Sequence, residues 1–270
     1  MLSAAIISRN EESVIGRALA SIRPYADEII VVDTGSEDST IEIARQFDAR
    51  IIERPWTDDF SEARNSALSA CRGNWILSVD CDEELLANNA VGGFLQSLAA
   101  NSAEIAYVLP IHNTLTNGQV ETHQVIRLFR NLPDIRFSGP IHESVSTSIH
   151  RLRPNSTVSI APFALQHCGY ESLEKNKKKV LRNTHILLKW VHDEPSNSYA
   201  WYKLGLTLRA AGAEKATACL FRSFELLVSH DDRHSFAFRD QLIEHLLGSL
   251  KGPDLPLASW IKAEADRAFS

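Results

Sequence analysis

The feature that most constrains this chain is the alternation of short apolar runs and helix-like stretches across its first hundred residues. The apolar runs predict strands at 2–7, 28–33, 49–53 and 75–80. Stretches of helical spacing separate or follow them at 11–22, 40–47, 60–71 and 83–99. Strands joined by helices form right-handed βαβ units, so we predict an α/β domain with a mostly parallel central sheet.

A different pattern begins after Ile105. In AYVLPIHNTLTNGQVETHQVIRLFR, Asn117 and Gly118 separate two strand-like runs, which is a hairpin signal. We therefore predict an antiparallel extension of the sheet up to about Phe163.

The remainder of the chain reads as helices only, from Glu171 onward. A turn at Ala211 and Gly212 separates two helices in a pattern that resembles one tetratricopeptide repeat. We predict an α/β domain over 1–170, a connecting helix over 171–195, and a tetratricopeptide-like helical domain over 196–270.

Composition excludes several classes of protein. The 270-residue chain carries a net charge of −6, whereas general nucleic-acid binders usually have an excess of Lys and Arg. Its four cysteines form no C-x-x-C pair, which favours a reducing cytoplasm over a disulfide scaffold. No stretch approaches the roughly 20 apolar residues of a membrane span, and residues 1–13 do not resemble a signal peptide. We expect a soluble cytoplasmic protein, which leaves open contact with the inner face of the membrane.

Polar side chains follow three of the predicted strands. These are the segment Arg9-Asn10-Glu11, Asp33, and the pair Asp80 and Asp82. Ligands of open α/β sheets lie beyond the carboxyl ends of the strands, so these groups are expected to converge on one crevice.

The segment WILSVDCDEEL ends an apolar strand in four carboxylates, which admits three interpretations. Asp80 and Asp82 point the same way and repel each other unless a cation such as Mn²⁺ or Mg²⁺ neutralises them. Alternatively, Asp82 caps the next helix, and Glu83 and Glu84 interact favourably with the dipole of that helix at its N-terminus. A phosphatase-type D-x-D-x-T is disfavoured because the fifth residue is Glu84. Cys81 is expected to point into the core.

Two further features also have an ordinary structural interpretation. Asp33 could accept hydrogen bonds from a base or ribose, or it could simply begin a turn. The basic run Lys175, Lys177, Lys178, Lys179 and Arg182 is expected to be a solvated helix face, with an anionic acceptor or the membrane surface as the alternative.

Seven segments occur in a characteristic order: SRNEE, VVDTGSEDST, DDFSEARNSAL, ILSVDCDEEL, RLFRN, FSGPIHE and HCGY. Together they resemble a family 2 glycosyltransferase of GT-A fold. They are most similar to the bacterial subgroup of lipopolysaccharide-core β-glucosyltransferases and peptide S-glycosyltransferases. The resemblance covers about residues 1–190, and members of this subgroup often carry tetratricopeptide-like helices behind the catalytic domain.

The resemblance implies a role for each motif. Residues of the first three motifs would form the nucleotide pocket: Asn10 and Glu11 line it, Asp33 binds the uracil and Arg64 lies beside the base. Asp80 would reach the ribose or the metal, and Asp82 would hold Mn²⁺ or Mg²⁺ on the diphosphate. Arg127 is a candidate for contact with the diphosphate, and its alternative is an ordinary surface arginine.

The last two motifs supply the remaining candidates. Gly139 and Pro140 form a turn that presents His142 and Glu143, and transfer needs a base for the acceptor proton. Glu143 is the first choice and His142 the second. His167 is a candidate metal ligand because imidazole binds Mn²⁺, although a lone histidine is more often structural.

These features predict a metal-dependent inverting hexosyltransferase that uses a UDP-sugar and acts on the lipopolysaccharide core or a related acceptor. A peptide or protein acceptor is one alternative. Another is a non-catalytic scaffold that binds a protein partner or a second copy of itself through its helical tail. A pyrophosphorylase is disfavoured because SRNEES lacks the glycine-rich loop that holds a triphosphate.

Overall fold

The structure is a computed structural model that describes residues 1–98, 104–114, 118–154, 158–168, 173–229, 238–250 and 255–269. The chain divides into two compact units, Met1–Tyr170 and Glu171–Ser270. No helix in these described ranges combines the length and the apolar character needed to cross a membrane.

The first unit is built on one curved, mixed sheet. Its strands are β1 Leu2–Ser8, β2 Glu28–Asp33, β3 Arg50–Glu53, β4 Trp75–Ser78, β5 Glu83–Leu86, β6 Ala106–Thr114, β7 Val120–Arg130, β8 Ser159–Ile160 and β9 Ala164–His167. They lie in the order β3-β2-β1-β4-β7-β6-β9-β5, with β8 paired to β6. The first four strands in this order are parallel to one another, as the βαβ pattern predicted.

The helices of this unit connect the strands. They are α1 Ile15–Ile22, α2 Thr40–Arg45, α3 Phe60–Ala70, α4 Val91–Ser97 and α5 Ser146–Leu152. The predicted helix at 11–22 begins only at Ile15, because the residues before it form a polar loop. Helices and strand faces enclose two apolar cores, one on each side of the sheet. Ile6 and Leu77 belong to one core, and Ile76 and Phe129 to the other.

The antiparallel extension is confirmed for the hairpin of β6 and β7, but it does not continue to Phe163, because α5 follows and β8 pairs parallel with β6. Strand β7 pairs antiparallel with both β4 and β6, so it joins the parallel half of the sheet to the hairpin. Gly118 has φ of 80°, a conformation that glycine adopts readily, while Asn117 lies outside the described residues.

The predicted helix at 83–99 is wrong at its start. Glu83–Leu86 is an edge strand that pairs antiparallel with β9, and the helix α4 begins only at Val91. Alternating burial of Glu83 and Leu85 follows the period of a strand. Asp82 therefore has no helix to cap, which removes the capping interpretation of the acidic segment.

The second unit consists of helices in its described ranges. They are α6 Leu173–Asp193, α7 Ser198–Ala210, α8 Ala216–Ser229, α9 Arg239–Leu247 and α10 Leu255–Phe269. Asn197 caps α7 by accepting a hydrogen bond from the Ala200 amide, which fixes the start of this helix at Ser198. A core around Tyr202, Phe224 and Leu242 holds helices α7 to α10 together. A tetratricopeptide-like nature of this unit stays a prediction.

Candidate active site

The loop after β2 is built around a buried carboxylate. Asp33 is 2% exposed and accepts hydrogen bonds from the hydroxyls of Ser8 and Ser36 and from the amides of Gly35 and Ser36. Gly35 has φ of 104°, which lets the chain turn tightly here. Asp33 therefore begins and stabilises a turn, as the structural interpretation of this residue predicted. Contact with a nucleotide base stays a prediction.

The loop after β1 is joined to the loop after β2. The Asn10 amide donates to the Ser36 hydroxyl at 2.8 Å, and the Asn10 side-chain oxygen accepts from the Glu37 amide at 2.8 Å. The Glu11 amide donates to the Thr40 hydroxyl at 2.8 Å. Two predicted pocket residues, Asn10 and Glu11, are therefore fixed at the carboxyl ends of β1 and β2.

Arg64 links three elements of the site. It lies in α3, is 6% exposed, and donates from Nη1 to the hydroxyl of Ser78 at 3.2 Å. Its Nη2 contacts Asp80 Oδ1 at 2.5 Å and its Nε contacts Glu143 Oε1 at 2.5 Å. One guanidinium therefore holds together the end of β4 and the loop that carries the predicted base.

Arg127 supplies a second cation from β7. Its Nη2 donates to Asp80 Oδ2 at 2.7 Å and to Glu83 Oε1 at 2.8 Å. Glu83 Oε2 in turn accepts from the Asp80 amide at 2.9 Å. Because Arg127 is 8% exposed, it is not an ordinary surface arginine.

Three carboxylates face two guanidiniums in this cluster, and the pKa values reflect that excess of negative charge. Burial alone would raise the pKa of Asp80, but Arg127 and Arg64 hold it well below its usual range. Burial and the Asp80 carboxylate raise the pKa of Glu83 to about 7, against the opposing effect of Arg127. Asp80 is therefore ionised at neutral pH, whereas the pKa of Glu83 is shifted upward by its burial and by the neighbouring Asp80 carboxylate.

The predicted base lies on a short closed loop. Ser138 and Ser144 exchange two backbone hydrogen bonds of 3.0 and 3.2 Å, which close the residues between them into a tight turn. Gly139 has φ of 91° and His142 has φ of 54°, so both adopt the left-handed conformation. His142 faces solvent, whereas the Glu143 side chain is 11% exposed and turned toward Arg64.

Helix α3 fixes this loop through its own side chains. The Asn65 amide group exchanges two hydrogen bonds with the backbone of Phe137, at 3.0 and 2.9 Å. The Phe60 amide donates to the carbonyl of Pro140 at 2.8 Å, and Asp59 caps the helix by accepting from the Glu62 amide. The motif DDFSEARN therefore positions the loop as well as presenting Arg64.

Asp82 and His167 form a separate pair beside the arginine cluster. His167 Nε2 lies 3.0 Å from Asp82 Oδ2. Asp82 is 29% exposed and His167 32% exposed, so a ligand can reach both side chains. Within the described part of the chain, no group of three or more His, Cys, Asp or Glu side chains is placed to hold a metal ion.

Cys81 points into the core, as predicted. It is 5% exposed and its thiol donates to the carbonyl of Ile7 at 3.2 Å. Burial raises its pKa far above the ordinary value, and the carboxylates of Glu11, Asp80 and Asp82 add to that effect. A thiol that stays protonated is not a nucleophile.

Several predicted residues are thus brought together at one edge of the sheet: Arg64, Asp80, Arg127 and Glu143 in one cluster, and Asp82 and His167 beside it. Sequence reasoning missed that Glu83 belongs to the cluster and that Ser78 and Asn65 support it. The role of Glu83 could have been found in part, because Arg127 lies inside the apolar run VIRLF and a buried arginine is expected to need a buried partner.

Fold and site together define an α/β protein of GT-A fold with a charged cluster at the carboxyl ends of its strands. The family model described as glycosyl transferase family 2 matches residues 3–163, and the chain belongs to this family.

Two relatives and two solved structures of a third protein show how far the similarity extends. A TPR repeat-containing protein of Synechococcus elongatus is 37% identical over 80% of this chain and 54% of its own length. The SPbeta prophage-derived glycosyltransferase SunS of Bacillus subtilis is 27% identical over 87% of this chain and 56% of its own length. The chain therefore spans little more than half of either protein.

The structure of S. aureus TarS 1-349 in complex with UDP matches with a TM-score of 0.54 and 15% identity. The match covers 99% of this chain and 88% of that one. TarS 1-349 was also crystallised with UDP-GlcNAc, and that structure matches with a TM-score of 0.53. At this level of identity the similarity concerns the fold alone.

Proposed function

We propose that this chain is an inverting glycosyltransferase that transfers a hexose from a UDP-sugar to a nucleophilic acceptor. The observation that carries the proposal is the placement of Glu143. This carboxylate lies at the carboxyl ends of the strands, 2.5 Å from the guanidinium that also holds Asp80. Membership of glycosyl transferase family 2 supports the reaction class.

The proposed donor site lies between the loops after β1, β2 and β4. Asn10, Glu11 and Asp33 line the nucleoside end, and their fixed loops leave little to reorganise when the nucleotide binds. Arg64 and Arg127 stand beside Asp80, and a diphosphate that binds here would compete with Asp80, Glu83 and Glu143 for their donors. The UDP complexes of TarS, which shares the fold, are consistent with a uridine nucleotide.

A divalent cation fits the pair formed by Asp82 and His167. Carboxylate oxygen and imidazole nitrogen are both suitable donors for Mn²⁺, and these two are adjacent and partly exposed. Asp80 is a weaker candidate ligand because both of its oxygens contact arginines. A bound Mn²⁺ or Mg²⁺ would neutralise charge on the departing diphosphate. Arg64 and Arg127 offer part of the same stabilisation from the chain itself.

Glu143 is proposed to take the proton from the acceptor's nucleophile, which is a hydroxyl group or, in a peptide, a thiol. The oxygen or sulfur of that group attacks the anomeric carbon. The new bond forms to that carbon while its bond to the diphosphate oxygen breaks, and UDP departs with the bonding electrons. One displacement inverts the configuration and needs a single base. His142, on the same loop, is the second candidate for this role.

The acceptor is proposed to be a cell-surface glycan such as the lipopolysaccharide core, with a peptide or protein as the alternative. A non-catalytic scaffold is the second candidate function, favoured by one observation. The charges of Asp80 and Arg64 are already balanced inside the protein, as they would be in a structural cluster.

Donor binding and turnover separate these candidates. Calorimetric titration with UDP, with and without Mn²⁺, should show binding that the metal strengthens and that Asp82→Ala loses. UDP release from a panel of UDP-hexoses then reports turnover. Glu143→Gln should bind UDP as the wild type does and lose turnover by about 10²- to 10⁴-fold.

Asp134→Asn is the matched control, because it makes the same carboxylate-to-amide change at an exposed residue that is not part of the charged cluster. It should leave both binding and turnover unchanged. Full turnover by Glu143→Gln would transfer the role of base to His142, which His142→Ala would then test. Absence of UDP binding under every metal condition would refute the uridine donor and leave the scaffold.

A further inference from the structure

The outward face of α6 has a composition that the proposed reaction does not explain. Seven residues spaced three or four apart along the helix lie on one side and are exposed: Lys178, Leu181, Arg182, His185, Leu188, Lys189 and His192. We call these seven residues the basic face of α6.

The opposite side of the same helix is buried. Ile186, Leu187, Trp190 and Val191 are all at most 7% exposed. The ring of Trp190 packs edge-on against Tyr199 of α7, with centroids 6.2 Å apart. The helix therefore has one side fixed by packing, and the basic face is held outward on a rigid element.

Charge on this helix contrasts with that of the chain. Helix α6 contains six Lys or Arg and two acidic residues, Glu174 and Asp193, one near each end, although the whole chain carries −6. The exposed side chains of Lys178, Arg182 and Lys189 follow one another along the face. A partner that complements this face would be anionic.

Two leucines decide which kind of anion fits. Leu181 is 72% exposed and Leu188 is 52% exposed, and the two lie two helical turns apart on one edge of the basic face. A soluble phosphate or a phosphorylated glycan would pair with the cations and leave both leucines in water. A bilayer surface takes the cations at its headgroups and the leucines at the acyl boundary, as interfacial amphipathic helices do.

We propose that the basic face of α6 docks on the surface of an anionic phospholipid membrane. Lys178, Arg182 and Lys189 contact the headgroups, and Leu181 and Leu188 enter the interface. This contact is independent of the proposed transferase reaction, since neither Glu143 nor the arginine cluster takes part in it.

Vesicle co-sedimentation tests the proposal with the full chain. Wild-type protein should sediment with vesicles of phosphatidylcholine and phosphatidylglycerol, and should stay in solution with phosphatidylcholine alone. Added salt should weaken the binding because exposed charges are screened. Lys178→Glu/Arg182→Glu should reduce binding by at least about tenfold, since each cation near an anionic surface contributes about fivefold.

Two further variants separate a membrane from other anions. Leu181→Ser/Leu188→Ser keeps every charge and should still lose most of the binding. Lys215→Glu/Lys262→Glu makes the same change in charge at exposed positions of α8's N-terminal flank and α10, and should bind like the wild type. Circular dichroism and thermal melting should show that all three variants remain folded.

The outcomes that overturn the proposal are distinct from failure of the transferase proposal. Absence of wild-type binding to anionic vesicles would refute docking, whatever the protein's turnover. Equal losses in the Lys215/Lys262 control would mean that only net charge matters. Full binding by the leucine variant would identify a general anion site and exclude insertion into the interface.

Discussion

At the scale of the residue, Arg64 and Arg127 answer the question raised by the acidic segment after β4. Asp80 has its positive partners within the chain, because both of its oxygens contact guanidiniums at 2.5 and 2.7 Å. Asp82 has a different partner, His167. The two aspartates of the D-x-D motif therefore occupy different environments, and one bound cation is not required to neutralise both.

Arg64→Met tests how far the cluster depends on one guanidinium. The substitution leaves Glu143, which is 11% exposed, without its cation and removes one of two from Asp80. Removing one partner of a buried ion pair typically costs about 3 to 5 kcal/mol. We expect a loss of this order in the free energy of unfolding, measured by urea denaturation at pH 7.

The double variant Arg64→Met/Glu143→Gln is the control for this prediction. Neutralising Glu143 removes the buried charge that lost its partner, so the double variant should recover part of the lost stability. If the two single effects simply added, the 2.5 Å contact between Arg64 and Glu143 would carry no coupling energy. Arg64→Lys should fall between the wild type and Arg64→Met, because an ammonium cannot span three acceptors in a fork.

At the scale of the element, the sequence predicted most of the strands but not all of the pairings between them. The four parallel strands were predicted from their apolar runs, because burial on both faces leaves a strong local signal. The segment Glu83–Leu86 was predicted as helix, because its glutamates have good helix propensity and no local feature reveals an edge strand. Pairing with β9, some 80 residues away, decides its conformation.

The candidate site shows the same division between local and distant information. Position at a strand end predicted that Asn10, Asp33 and Asp80 would share one edge of the sheet. Sequence could not predict that Arg64 contacts Glu143, since 79 residues separate them and the contact depends on how the loop folds onto α3. Long-range ion pairs are set by tertiary structure, which neither periodicity nor spacing encodes.

Two glycines in helices differ in the space around them, so alanine is expected to have opposite effects at the two positions. A Cβ at Gly205 of α7 would lie 2.7 and 2.8 Å from two side-chain atoms of Leu220 and 3.1 Å from its amide nitrogen, so α7 and α8 need the glycine for close approach. A Cβ at Gly93 of α4 would have no atom within 4 Å.

Gly205→Ala should therefore lower the free energy of unfolding by about 1 to 3 kcal/mol, because overpacking outweighs the gain in helix propensity. Gly93→Ala, the matched control, should raise it by about 0.5 to 1 kcal/mol. Both are measurable by urea denaturation followed by circular dichroism. Stabilisation by Gly205→Ala would show that the two helices can separate without cost.

At the scale of the whole molecule, the two units have separate apolar cores. The cores on the two sides of the sheet draw all their buried residues from Leu2 to Leu165, and the helical core draws its own from Tyr202 to Ala265. Family membership rests on the first unit, since the family model matches residues 3–163. The second unit is where the interaction proposed for α6 is located.

Separate cores predict separate cooperative units, which hydrogen exchange can resolve. Phe224 and Phe129 are both fully buried, Phe224 in the helical core and Phe129 in β7 of the sheet. Truncating either phenylalanine to alanine should cost about 3 to 5 kcal/mol within its own unit. Phe224→Ala should lower amide protection across the described helices from 173 to 269 while residues 1–168 keep theirs, and Phe129→Ala should do the reverse. Because the two substitutions delete the same side chain at equal burial, they control for each other. Loss of protection in both units by the same factor, from either variant, would mean that the chain unfolds as one cooperative body despite its separate cores.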